Sequence, residues 1–344
     1  MNPLVSVVIV NWNGKANLRQ CLNSLFKVKY SPLEVIVVDN GSTDGSVTLI
    51  KEKFPNVKIV EAKKNLGFAK GNNLGYEKST GDYILFLNND CIVTDNFLEM
   101  LVSYLKKNPV VGIVQPTIFF YRPNTIFHNK INSVGSFFLK SGFLYHQDYG
   151  KNFVRQKYSK PFEVFSAYGA CFLVKKEVIK KVGLFDKDYF AYFEETDLCH
   201  RVWLAGYSVM TYPSVHVFHK GAQTSEKLSS TFVQFHSFKN KFYSYLKNLG
   251  TYYLLTMLLP HFLISEIGSI LYIFFGKPDY AWAIQKAIFW NIVRFKKIIA
   301  GRRKVQKNIR KVSDSSFIPK LTRSAGIKYY YFISKVELEK YNDR

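Results

Sequence analysis

The sequence predicts an α/β fold: a mostly parallel sheet flanked by helices, followed by a helical, basic and apolar C-terminal region. Three observations carry this reading. Up to about Phe120, near-continuous apolar runs alternate with amphipathic stretches, the pattern of a parallel sheet covered on both faces. Those runs end repeatedly in Asn or Asp. Beyond Ser230 the composition shifts to long apolar stretches studded with Lys and Arg.

In chain order, Val5 to Asn11 is a β-branched run and reads as the first strand, and Lys15 to Phe26 carries Leu18, Cys21, Leu22 and Leu25 at helical spacing. Leu33 to Asn40 is the second strand, Asp44 to Phe54 a helix, Val57 to Ala62 the third strand and Tyr83 to Leu87 the fourth. Phe97, Leu98, Leu101, Val102 and Leu105 stripe a helix over Asp95 to Leu105. From Tyr121 to Phe165 the period is lost, which predicts loops with short strands. Ala170 to Val174 is a strand, leading into a helix that stops at Gly183. Tyr192 to Tyr207 is a helix with an acidic start, and Val209 to His219 a final strand with an edge or bulge at Pro213. Tyr252 to Phe275 is apolar over about the length of a membrane span, interrupted by Pro260, His261 and Glu266. Its readings are a span or a hairpin broken at Pro260 that is buried or lies in the membrane plane. The expected division is residues 1–225 for the α/β domain and 226–344 for the tail.

Among 344 residues, 47% are hydrophobic and 17% aromatic, which provides a sizeable core and excludes global disorder. Cys21, Cys91, Cys171 and Cys199 include no C-x-x-C pair, so buried thiols in a reducing compartment are expected. The N-terminus reads as a strand rather than a signal peptide. Net charge is +23, and residues 231–344 hold 20 Lys/Arg against 6 Asp/Glu. Such an excess suits a polyanion, either nucleic acid or an anionic membrane.

Asn11, Asp39-Asn40 and Asn88 to Asp90 close three strands on the same side of a parallel sheet. Each alone reads as turn chemistry; together they predict one ligand site on that rim. Asp39 suits a hydrogen bond from a base or ribose. Asp90 suits a hard cation on a diphosphate, since phosphate oxygens and water complete such a shell. Asn88 and Asn89 suit sugar or ribose hydroxyls. Glu194, Glu195 and Asp197 crowd a helix start after the bulky Tyr192 and Phe193. Capping explains acids there; crowding among apolar neighbours also suits a general base. Asp197 and Arg201 read as an ordinary i, i+4 surface pair. His216 and His219 point to opposite faces of a strand, so they do not chelate one ion together. No G-x-G-x-x-G follows a strand and no Walker A loop exists, which argues against dinucleotide folds and P-loop NTPases.

Seven segments, in order, resemble an inverting glycosyltransferase of family 2 with the GT-A fold, the nucleotide-sugar-binding, Rossmann-like α/β architecture. They are VSVVIVNWNG, VIVVDNGSTDGS, NLGFAKGNNLG, ILFLNNDCIV, GACFLVKKEVIKKVGLFD, FEETDLCHRVWLAGY and HVFHKG. The bacterial rhamnosyltransferase-like branch is the most similar. The resemblance implies roles. Asp39 would contact the uracil or thymine of a UDP- or dTDP-sugar, dTDP-rhamnose among them, with Asn11 beside it. Asp90 would bind a divalent cation, Mg²⁺ or Mn²⁺, and through it the diphosphate, with His219 as a second metal ligand. Glu195 would activate the acceptor, and Asn72 and Asn73 would lie near the nucleotide. Two departures stand out. The metal motif reads Asn88-Asn89-Asp90, an amide replacing its first acid, which lowers the charge. The base motif reads Glu194-Glu195 where Glu-Asp is commoner, leaving Glu194 as the alternative base.

The tail reads as a membrane-facing platform, because acceptors in this branch are glycans linked to polyprenyl diphosphate and because cations beside aromatic rings suit an anionic lipid interface. Peripheral attachment at the cytoplasmic face is expected, since Glu266 in mid-bilayer is costly. The rival class, a nucleic-acid- or polyanion-binding scaffold with a degenerate transferase domain, explains the tail but neither the strand ends nor the acidic helix start. No nucleic acid is expected.

Overall fold

The computed structural model describes residues 1–221 and 228–330. The division expected at 225/226 and residues 331–344 lie outside the described residues.

The first half builds as β1 (Val5–Asn11), α1 (Lys15–Leu25), β2 (Leu33–Asp39), α2 (Ser46–Lys53), β3 (Lys58–Glu61), α3 (Gly67–Glu77) and β4 (Tyr83–Leu87). Then come β5 (Cys91–Val93), α4 (Phe97–Lys107), β6 (Val111–Phe120), β7 (Ile131–Ser133), β8 (Ser136–Leu139), β9 (Leu144–His146) and β10 (Phe162–Glu163). β11 (Cys171–Lys175), α5 (Lys176–Val182), α6 (Glu194–Leu204) and β12 (Ser208–His219) close the α/β part. The tail holds α7 (Ser230–Asn248), α8 (Thr251–Tyr253), α9 (Leu259–Phe274), α10 (Pro278–Val293), α11 (Phe295–Lys304) and β13 (Thr322–Arg323).

The main sheet runs β10-β12-β6-β11-β4-β1-β2-β3, with β5 added to β12 and β7 to β6. β1 lies parallel between β2 and β4, and β2 parallel to β3. Strand order therefore reverses between β1 and β4, which opens a crevice at their carboxyl ends. Beyond β4 the sheet becomes mixed, because β11 enters antiparallel to both β4 and β6. A strand buried on both faces carries no alternation that reveals its direction.

Three elements escape the sequence periodicity. β5 is only three residues long. α3 contains Gly71 and Gly75, poor helix formers; a Cβ at those positions would come within 2.9 Å of Val10 and 2.3 Å of Val8, so the glycines let this helix lie close on β1. β6 is buried throughout and contains Pro116. That proline sits opposite a register break in β12 between Tyr212 and His216, and Pro213 falls in the same break, the bulge expected there.

Side chains alternate between the two faces. Val7, Ile9, Leu85 and Leu173 pack under α1 and α4, whereas Val8, Phe86, Phe172 and Val174 join α5 and α6. The second cluster also takes in Tyr245, Leu249, Met257, Ile298 and Phe317, so the tail shares a core with the α/β part. Polar bonds reinforce that seam. Asp197 is not the expected surface acid but fully buried. It accepts from Arg201 at 2.9 Å, Ser244 at 3.0 Å and Asn248 at 2.9 Å. Burial would raise its pKa, but Lys247 and Arg201 outweigh that and hold its carboxyl far below the usual range. Of the readings left open for this segment, the break at Pro260 does not occur: the helix continues through it, because the proline stands in the first turn of α9 and a π-turn over Leu254–Leu258 precedes it. The reversal falls instead at Gly276, whose φ is +68°.

Candidate active site

The three polar strand ends meet. Asn11 and Asp39 are register partners. The Asn11 amide donates to Asp39 Oδ1 at 3.4 Å, and Asn11 Oδ1 accepts from Asn89 at 2.7 Å. Asp39 Oδ2 takes the Ser42 N–H at 2.8 Å. This chain of bonds crosses β2, β1 and β4. It needs Gly14, where a Cβ would lie 2.3 Å from the Asn89 amide nitrogen.

A cleft of about 240 Å³ opens at the reversal point, and its lining includes Asn88, Asn89, Asp90, His219, Glu194 and Glu195. Asp39 and Asn11 are buried behind that rim, with Asn40 at the surface of the cleft. Asn72 and Asn73 turn to protein carbonyls, those of Phe68 and Phe185, at 3.0 and 2.8 Å. Asn40, Asn65 and Phe68 line that side of the cleft.

β5 pairs with β12, placing Cys91 opposite His219. The pairing sets Asp90 Oδ1 3.1 Å from His219 Nε2, with both residues buried. His219 Nδ1 lies 2.8 Å from Asn132 Oδ1. An amide oxygen only accepts, so Nδ1 carries hydrogen and Nε2 faces Asp90. Burial would push the Asp90 carboxyl up, yet His219 and Lys220 outweigh it and hold it below its usual value. Cys91 also stands within ligating distance of this pair. Its thiol donates to the Ala170 carbonyl, and burial pushes its pKa far up, so it stays protonated. One carboxylate and one imidazole fit a divalent cation whose other ligands are phosphate oxygens and water. His216 packs on Phe119 and Phe153, away from this pair.

The opposite wall is the start of α6. Tyr192 and Phe193 both have left-handed backbones, φ +72° and +74°, which bulky side chains rarely adopt. Asn240 from α7 holds them: its amide donates to the carbonyls of Ala191 at 2.8 Å and Tyr192 at 2.7 Å. The Phe190 carbonyl accepts from the N–H of Phe68, at the start of α3, at 2.7 Å. Held this way, α6 presents Glu195 half-buried at the cleft, and burial pushes its pKa up to about 7. Glu194 is more deeply buried, and burial and then the charge of Glu195 raise it well above the usual carboxylate range. One of its oxygens, Oε2, has no hydrogen-bond partner.

Sequence reasoning missed Asn132, Asn65 and Asn240. Asn132 lies in the stretch without period and Asn240 in the tail, so neither carried a local signal.

A mixed sheet with a polar crevice at its reversal point is the GT-A architecture that the resemblance implied. The chain matches the family model for glycosyl transferase family 2 over residues 6–183 and belongs to that family. Among curated relatives, it is 27% identical over 243 residues to the N-acetylglucosaminyl-diphospho-decaprenol L-rhamnosyltransferase of Mycobacterium tuberculosis, covering 65% of this chain and 78% of that one. An uncharacterized glycosyltransferase of Haemophilus influenzae is 34% identical over 112 residues, 32% of this chain and 45% of its own. Among solved structures, the mannosyltransferase PcManGT of Pyrobaculum calidifontis, in complex with GDP-Man and Mn²⁺, aligns with a TM-score of 0.55 at 18% identity, over 89% of this chain and 83% of that one. GalNAc-T7 with UDP, GalNAc and Mn²⁺ aligns at 0.59 and 19%, over 73% and 49%. At these identities the structural likeness supports the fold.

Proposed function

We propose that this glycosyltransferase moves a sugar from a UDP- or dTDP-sugar, dTDP-rhamnose among them, to a glycan acceptor linked to polyprenyl diphosphate. The transfer inverts the anomeric centre and serves cell-surface polysaccharide synthesis. The observation that carries the reading is the pairing across one cleft of Asp90–His219 with Glu195. The rhamnosyltransferase relative supplies the acceptor class and the sugar.

Glu195 takes the proton from the acceptor hydroxyl as that oxygen bonds to the anomeric carbon. The bond from that carbon to the diphosphate breaks on the opposite face, and the nucleoside diphosphate leaves with the electron pair. Attack from the face opposite the leaving group inverts the configuration. Both line the cleft, and Glu195 is favoured over Glu194 because it is the less buried of the two and its pKa near 7 suits a base at neutral pH. Asn11 and Asn89 fix the rim, and Asp39, buried behind it, is the residue the family resemblance would set nearest the nucleobase. A divalent cation, Mg²⁺ or Mn²⁺, held by Asp90 and His219 would offset the diphosphate charge.

The tail supports work at a membrane surface. Leu255, Leu259, Leu263, Ile267, Ile270 and Phe274 form an exposed stripe, and Trp282, Phe289 and Val293 continue it on α10. Residues Thr251–Phe274 form a helix long and apolar enough to cross a membrane. Its partner α10 packs on both α9 and α7, and Gln285 on α10 bonds Glu266 at 3.0 Å. A crossing α9 would draw α10, with Asp279 and Lys286, into the bilayer, which is costly. This favours reading the pair as lying in the membrane plane rather than crossing it.

Glu195→Gln is the test. The variant is expected to bind donor as the wild type does and to lose transfer; near-wild-type turnover would remove the assignment.

A further inference from the structure

α7 carries three inward lysines, and two have oxygen partners. Lys247 pairs with Asp186 at 2.6 Å, and Lys239 donates to the Asp188 carbonyl at 2.9 Å. Lys241 differs. Its ammonium has neither a carboxylate nor a carbonyl partner among the described residues. It faces the rings of Phe143, Phe238 and Phe193, with centroids 4.5, 5.5 and 5.9 Å away. Burial lowers its pKa to about 8. Cation–π contact offsets part of the lost hydration, but a desolvated cation without an anion remains costly. Such a site holds a counter-ion best when a ligand brings one.

Its neighbours show which ligand. Phe193 directly precedes Glu194 and Glu195. On the other side, the Phe143 and Phe238 rings pack against the ring of His261 on α9, at 4.4 and 6.1 Å. Two residues to either side of the buried His261, on the outer face of the same helix, stand Leu259 and Leu263 of the exposed apolar stripe. The amine thus stands between the base-bearing helix and the lipid-facing helix. A molecule with sugar, anion and hydrocarbon in that order meets all three.

We propose that Lys241 is the anion-binding residue for a prenyl diphosphate, holding the diphosphate of a lipid-linked acceptor while its chain runs along α9. The proposal rests on the polyprenyl-diphosphate acceptor reading above. Phe143 and Phe238 wall the amine, and Lys241 is half-buried rather than enclosed.

The test measures binding of farnesyl diphosphate, farnesol and inorganic pyrophosphate by calorimetry, in EDTA so that no metal assists the donor side. Vesicles containing phosphatidylglycerol form a separate arm. Lys241→Met is expected to weaken farnesyl diphosphate binding at least about tenfold, the loss of one charge-assisted contact. Farnesol binding is expected to stay unchanged, Lys241→Arg to restore affinity, and pyrophosphate to bind more weakly than farnesyl diphosphate. If Lys241→Met does not fold, Lys241→Gln replaces it. Unchanged farnesyl diphosphate binding in the neutral variant overturns the proposal. Equal loss of farnesol overturns it too, since the apolar surface would then have collapsed. A loss confined to the phosphatidylglycerol vesicles would make Lys241 a headgroup contact and also overturn it. Lys241-dependent binding of farnesyl diphosphate, without transfer to any prenyl-diphosphate-linked glycan, would retire the acceptor reading and leave the anion site standing.

Discussion

Asn240→Ala tests whether the tail positions the helix that carries Glu195. Asn240 is fully buried, and its amide makes two bonds, at 2.8 and 2.7 Å, to the carbonyls of Ala191 and Tyr192. Those bonds restrain two consecutive left-handed residues, each costing on the order of 1–3 kcal/mol to hold. Removing the amide forfeits about 1 kcal/mol net per bond and leaves two carbonyls partly unpaired, about 2–4 kcal/mol together. At roughly 2 °C per kcal/mol for a chain of this size, the melting temperature should fall by about 4–8 °C. The strained turn then relaxes, and Glu195 moves with the start of α6. A displacement near 1 Å costs on the order of 10²-fold in rate, so kcat should fall far more than donor affinity when assayed well below the melting temperature. Asn240→Asp, which keeps the shape but cannot donate, should show the same loss. Wild-type kcat in both variants, with the melting temperature lowered as expected, would refute the link between this clamp and the base.

Three further outcomes follow from the site. Because burial raises Glu195 to about 7, and only the carboxylate accepts a proton, kcat/KM should rise with pH through about 7 and level off above it; a profile flat from pH 5 to 8 would exclude Glu195 as the base. EDTA should stop transfer and Mn²⁺ or Mg²⁺ restore it, and Asn132→Leu, which frees the His219 ring, should weaken Mn²⁺ binding about 10- to 100-fold as read by electron paramagnetic resonance; an unchanged affinity would mean that Asn132 does not orient the ligand. Replacing Leu263 and Ile267 with Glu should release the protein from phosphatidylglycerol vesicles while the melting temperature holds, and carbonate should extract the wild type from membranes; resistance to carbonate would mean that α9 spans.

The strands from Val5 to Leu87 and the helices between them were legible because their signals are local. A buried run or a 3.6-residue stripe is written within a dozen residues, and Asn11, Asp39 and Asp90 each close such a run. The crowding of Glu194, Glu195 and Asp197 was legible for the same reason. Their separate fates were not. Asp197 became a buried structural hub because α7, 47 residues on, supplies Ser244 as a partner. α3 and β6 were obscured by glycines and a proline whose purpose is set by neighbouring strands.

What the amino-acid order alone determined is the class of fold, the strand ends that form the rim and the chemistry available there. Tertiary structure decided the rest: the antiparallel entry of β11, the meeting of Asp90 with His219 through β5 and β12, the contact of Asn132 with the His219 ring and the clamp from Asn240. Those contacts join residues tens to more than a hundred positions apart, and packing selects them only once the intervening chain has folded.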